Sequence, residues 1–211
     1  MSHERWDPFF EDLEQQFAAD RELARDELSN EQQRVRIAGL ALRERLSAVR
    51  SGGRIIIGAA SGAHRLRLEA VGADWIAGAE DDRAGFVVAR IDALDSVQFD
   101  SENRGTSLAG GGGDQLERRM TFGFVLRALA RRRVAISVGL VRGGQLAGTP
   151  ALAGEDHVDL AVHDADGAPR GSEVREVQTI PFRAIAWVRT NVRGDAGAFS
   201  PASRLGSASL R

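Results

Sequence analysis

The sequence predicts an α+β chain, a long N-terminal helix followed by two diverged copies of one helix-plus-strand unit. Three observations predict it. Apolar residues recur at helical spacing from Phe10 to Val49. After Gly53 the pattern changes to alternation and short apolar runs. Two later segments then repeat one order: helix, strand, Gly-Asp turn, final strand.

The helix starts well at Asp7-Pro8, where Asp7 caps free amides and Pro8 suits the first helical position. Phe10, Leu13 and Phe17 form one stripe, and Glu11, Asp12 and Glu14 match the helix dipole. Ser29 and Gln32 have capping-box spacing, so residues 8–50 read as one helix or two. Val35, Ile37, Leu40, Leu42, Leu46 and Val49 carry the stripe on to Ser51-Gly52-Gly53, which stops it. Such a stripe must pack on the β units or on another copy of itself, as in a coiled coil.

Ile55-Ile56-Ile57 reads as a strand, and Leu66 and Leu68 alternate with Arg65 and Arg67. Asp81-Asp82-Arg83 reads as a hairpin tip, with Phe86-Val87-Val88 returning. The polar segment 101–113 ends in Gly110 to Gly113 and has a linker's composition. Asp114 follows it where a phosphate loop would carry a lysine, and reads as the cap of a second helix ending at Arg131-Arg132-Arg133. Strands resume at Val134, and the tail after Thr190 is rich in Gly, Ser and Ala. The predicted division is therefore 1–29 helical, 30–100 first unit, 101–113 linker, 114–190 second unit and 191–211 disordered tail.

Composition removes several chemistries. The chain has 211 residues, a net charge of -2 and no cysteine, so disulfides, zinc thiolates and cysteine nucleophiles are excluded. All 28 basic side chains are arginine and tyrosine is absent, which excludes Schiff-base lysines and a P-loop lysine. No apolar stretch is long enough to span a membrane, and the opening residues lack a signal-peptide pattern. A cytoplasmic protein with no membrane partner is expected.

The repeat aligns Val71-Gly72-Ala73-Asp74-Trp75-Ile76 with Ala153-Gly154-Glu155-Asp156-His157-Val158, and Val88–Val97 with Thr179–Val188. The second copy resembles a known family. Gly143-Gly144-Gln145-Leu146-Ala147-Gly148-Thr149 with Gly154–Leu160 looks like the first Sm motif, and Ile180-Pro181-Phe182-Arg183-Ala184-Ile185 with Val188 like the second, in its Hfq-type form. The resemblance covers about 60 residues in each half. It implies that each unit is a helix followed by a small bent β-barrel, and that two such barrels per chain assemble edge to edge into a ring with half the usual number of chains. The segment Trp6–Glu14 resembles the opening of uncharacterised actinobacterial proteins. Where the family's RNA pore has a Tyr-Lys-His run, this chain has Pro181-Phe182-Arg183, and Arg90-Ile91-Asp92 in the first copy. Only the basic Arg183 carries over.

His157, Asp159 and His163 share one strand face, but the two histidines lie too far apart for one ion and read as solvent-facing. Trp75 takes the place of His157, and alternation sets it outside the barrel, where it would stack on a base or pack under the helix. Trp187 and Val188 read as barrel core or interface. No catalytic, cofactor or metal site is predicted, and no small-molecule substrate. The expected function is that of a non-enzymatic structural or adaptor protein acting through a protein partner or its own copies. The alternative is RNA binding through Arg183, Trp75, Arg131, Arg132 and Arg133, whose guanidinium forks pair phosphates.

Overall fold

The structure, a computed structural model, describes residues 22, 25, 28–83, 85–110, 119–163 and 176–190. Residues 1–41 and 42–211 form two separate units. In the first, helix α1 covers 28–38, and 22 and 25 are helical as well. Gly39 N–H donates to Val35 O and Leu40 N–H to Ile37 O, a tightened last turn that closes the helix. Of the two readings, one helix or two, the described residues give separate helices with a break at 39–41, and the long N-terminal helix of the predicted fold class is not formed. Glycine is a poor helix former, and the stripe resumes only in the short α2 (Leu42–Ser47) of the second unit. Trp6, Asp7 and Pro8 lie outside the described residues.

The second unit corrects the predicted fold class. It is not two separate barrels but one ten-stranded antiparallel sheet in the order β5-β1-β2-β3-β4-β10-β6-β7-β8-β9. The strands are β1 (Arg54–Ala59), β2 (Gly62–Val71), β3 (Trp75–Glu80), β4 (Phe86–Arg90), β5 (Ser96–Phe99), β6 (Ile136–Leu140), β7 (Gln145–Ala153), β8 (His157–Val162), β9 (Glu176–Pro181) and β10 (Ile185–Thr190).

The reason lies in the middle strands. A strand with one face in a private core alternates, as β2 does with His64, Leu66 and Leu68 buried between exposed arginines. In β4 and β10 the runs Phe86–Ala89 and Ile185–Val188 are buried without interruption, which means apolar packing on both faces. Phe86, Val88, Ile185 and Val188 join a core with α4 (Phe122–Arg132), Trp75, Ile136 and Leu160. Val87, Ala89, Ala186 and Trp187 join a second core with Leu46, Ile55, Ile57 and Leu66. Each half thus completes the other's core.

The segment expected to be a flexible linker opens with helix α3 (Ser101–Ser107), where the Asp100 carboxylate accepts from Asn103 N–H at 2.7 Å. Asp114, the expected cap of the next helix, lies outside the described residues. The described helix α4 begins at Phe122, capped by Thr121 Oγ1 and by Asp74 Oδ1, which accepts from Phe122 N–H at 2.7 Å. Arg133 closes it in the left-handed region at φ 51°.

Each half repeats the other in detail. Both run final strand, then the four earlier ones, across the sheet. A bulge interrupts β2–β3 between Leu68 and Ala70, and its counterpart interrupts β7–β8 between Pro150 and Leu152. A 3-10 turn, Ile91–Ala93 or Phe182–Ala184, leads into each last strand.

Candidate functional site: a closed junction and two open edges

The site is best built from the seam between the halves. Along it β4 pairs with β10: Trp187 opposite Ala89, Val188 opposite Val88, Arg189 opposite Val87 and Thr190 opposite Phe86. Beyond the ladder, Arg90 Nη1 donates to Phe182 O at 2.7 Å and to Ile185 O at 3.3 Å, and its other amino group is bound by Asp92. Trp187 Nε1–H donates to Ser61 Oγ at 2.7 Å, and Gln145 Nε2 donates to Ser61 O at 3.1 Å. A Cβ at Gly139 would lie 2.1 Å from the Trp187 ring, so the sequence must be glycine there for the indole to enter.

The outer strands of the sheet are the counterparts of these two. Pairing Trp75 with Arg90 and His157 with Pro181 makes β9 the counterpart of β4. Pairing Ile55 with Phe99 and Ile136 with Thr190 makes β5 the counterpart of β10. Yet among the described residues β5 is paired only to β1 and β9 only to β8. Val177, counterpart of the buried Phe86, is 55% exposed.

Behind the seam lies a buried polar group. His64 and Glu80 are 7% and 9% exposed, and His64 Nδ1 is 2.6 Å from Glu80 Oε1. Arg189 Nη1 stands 3.7 Å from Glu80 Oε2, too far for a hydrogen bond. The His64 ring meets the Trp187 ring edge-on at 4.5 Å. Sequence reasoning missed this group because its members are scattered along the chain. One signal was available: alternation in β2 puts His64 on the same inward face as Leu66 and Leu68.

The residues singled out from sequence do not converge. Trp75 is fully buried, not outside, with Nε1–H donating to Met120 O at 2.8 Å. A Cβ at Gly72 would sit 2.2 Å from its ring, so the indole closes over the β2–β3 turn. Arg183 is exposed on the turn beside Phe182, whose ring lies against Gly123 in the first turn of α4. Arg131, Arg132 and Arg133 are exposed at the other end of that helix, about 16 Å away by its rise.

His157, Asp159 and His163 have separate partners. His157 Nδ1 is 2.9 Å from Asp156 Oδ1, and Thr179 Oγ1 donates to Asp159 at 2.6 Å. His163 is buried, contrary to the solvent-facing reading, with Nε2 3.0 Å from Thr149 Oγ1. The hydrogen bond to His157 holds the exposed Asp156 carboxyl below its ordinary value, with a smaller charge contribution from His157.

The chain matches no known protein-family description and no curated protein. The resemblance to Sm-like proteins therefore rests on its quoted segments alone. Among the described residues no helix is long and apolar enough to cross a membrane.

Proposed function

We propose that this protein is a structural assembly protein whose copies join head to tail, β9 of one pairing with β5 of the next. The supporting observation is that both open edges are counterparts of strands already paired inside the chain. Carrying the β4–β10 register over sets Phe99 opposite Val177, Gln98 opposite Gln178, Val97 opposite Thr179 and Ser96 opposite Ile180. Pro181, which would break a ladder, is the counterpart of Arg90 and falls just past the last of these pairs. Unlike edges in contact give a heterologous interface, which closes into a ring or extends, according to the rotation per copy.

The absence of cysteine supplies a clean test. A Gln98→Cys, Gln178→Cys chain should crosslink between copies on oxidation into dimers and larger multiples, and light scattering of the native chain should give a mass above the monomer's. Monomer at high concentration with no crosslinked multiples would sink the proposal. RNA binding has less support, because Trp75 is buried, and Arg183 lies on the turn beside the start of α4 while Arg131, Arg132 and Arg133 lie at its far end.

A further inference from the structure

The two 3-10 turns meet at the seam. Arg90 donates from Nη1 to Phe182 O at 2.7 Å and holds Asp92 with its other amino group. One guanidinium therefore spans from the turn Ile91–Ala93 to the turn Phe182–Ala184. The seam register, continued past Trp187 opposite Ala89, sets Asp92 opposite Ala184 and Arg183 opposite Ala93. Each turn carries one unlike charge, and both side chains are exposed. Asp92 is bound to Arg90 through Oδ2. Among the described residues no hydrogen bond or ion pair holds Arg183. The Asp156 carboxyl, which His157 holds low, feels Arg183 least of its neighbours.

The same two turns border the open edges. β9 leads out through Phe182–Ala184, and β5 is entered through Ile91–Ala93. The β9–β5 register between copies, continued in the same way, again sets Arg183 opposite Ala93 and Asp92 opposite Ala184. This time the two turns belong to different chains. The place of Arg90 is taken by Pro181, which has no donor to bridge them. What faces across the junction is then a cation on one copy and a carboxylate on the next, one position apart along the ladder. Asp95, opposite Pro181 and also exposed, adds negative charge on the β5 side.

We propose that Arg183 of each copy forms an ion pair with Asp92 of the next copy, and that this pair lets the open edge select its partner. The inference rests on the head-to-tail reading and names the residues that give it specificity. The Asp92 carboxylate then lies between two cations, Arg90 of its own chain and Arg183 of its neighbour. An exposed pair adds little to affinity and is screened by salt. Its larger effect is on choice, since like charges placed opposite one another across a ladder oppose pairing.

The test is a charge swap in the full chain, each variant checked by melting for retained fold. Arg183→Glu sets two carboxylates against each other at the junction, and Asp92→Arg sets two guanidinium groups there. Each alone should associate about tenfold or more weakly than the native chain by light scattering. An equimolar mixture should recover association, because each variant's altered turn meets a complementary charge on the other. Gln178→Cys in the Arg183→Glu chain and Gln98→Cys in the Asp92→Arg chain should then crosslink on oxidation into dimers holding one of each. A neutral chain, Asp92→Asn with Arg183→Gln, should associate with less dependence on salt than the native one. Undiminished association of a folded Arg183→Glu chain would overturn the ion pair and leave the head-to-tail reading standing. So would a mixture that recovers nothing, or a neutral chain with native salt dependence. A native chain that stays monomeric would overturn both.

Discussion

The seam inside the chain and the edges at its ends are built from counterpart strands, yet their chemistry differs. At the seam, Trp187 fills the space over Gly139, Arg90 ties β4 to the backbone of the turn before β10, and Arg189 faces Glu80. At the edges the counterparts are Ser96 over Gly58, Pro181 in place of Arg90, Gln98 in place of Arg189, Val162 in place of Glu80 and Leu146 in place of His64. One junction is large, tethered and charged beneath. At the same positions the open edges carry uncharged side chains. A duplicated interface that is always formed can accumulate bulk and buried charge. One that must form between copies stays small enough to remain exposed without aggregating.

The largest effect should come from removing the seam's bulk. Trp187→Ala should cost about 3–5 kcal/mol, because a fully buried indole leaves a cavity in the second core. Ser96→Ala at the exposed counterpart should change stability by less than about 0.5 kcal/mol. Chemical denaturation of both variants measures the contrast, and similar losses would break the comparison. Next comes Arg90→Ala, which leaves two carbonyls without their charged donor and should cost about 1.5–3 kcal/mol. If it costs nothing, the tether is not what separates seam from edge.

The smallest effect is pH-dependent. Asp156 sits at the turn before β8, where Asp74 in the first half instead caps α4. Its carboxyl is held below 3.8 by His157, so the folded state favours the charged form. That contribution is complete above the unfolded value and fades as pH falls through the lower folded one. Because Asp156 is exposed, only a slight loss of stability in acid is expected. His157→Gln should return the carboxyl's NMR titration toward the ordinary aspartate range, and an unmoved midpoint would remove the pairing.

How much of this was legible beforehand depends on whether a signal was local. The segment alignment, Trp75 with His157 and Val97 with Val188, agrees with the strand registers because glycines and apolar pairs recur in order. The single sheet was not anticipated. Its signal was the unbroken burial of Phe86–Ala89 and Ile185–Val188, and an apolar run from sequence does not say whose core its second face joins. Trp75 was placed by alternation on the wrong side, since the opposite face of β3 is covered by α4, an element distant in sequence. The buried polar group was out of reach for the same reason: Glu80 and Arg189 meet only through the β4–β10 pairing.

The unlikeness of the two open edges also has a genetic consequence. In the proposed head-to-tail assembly, a chain spoiled at β9, for instance by a charge at Val177, still presents a sound β5 to the next copy. In a mixed population it would enter each growing assembly and end it, so a minority of defective copies would suppress the product of the intact allele. Lesions confined to the β9 edge are therefore expected to be dominant, whereas lesions that unfold the seam remove the chain altogether and are expected to be recessive.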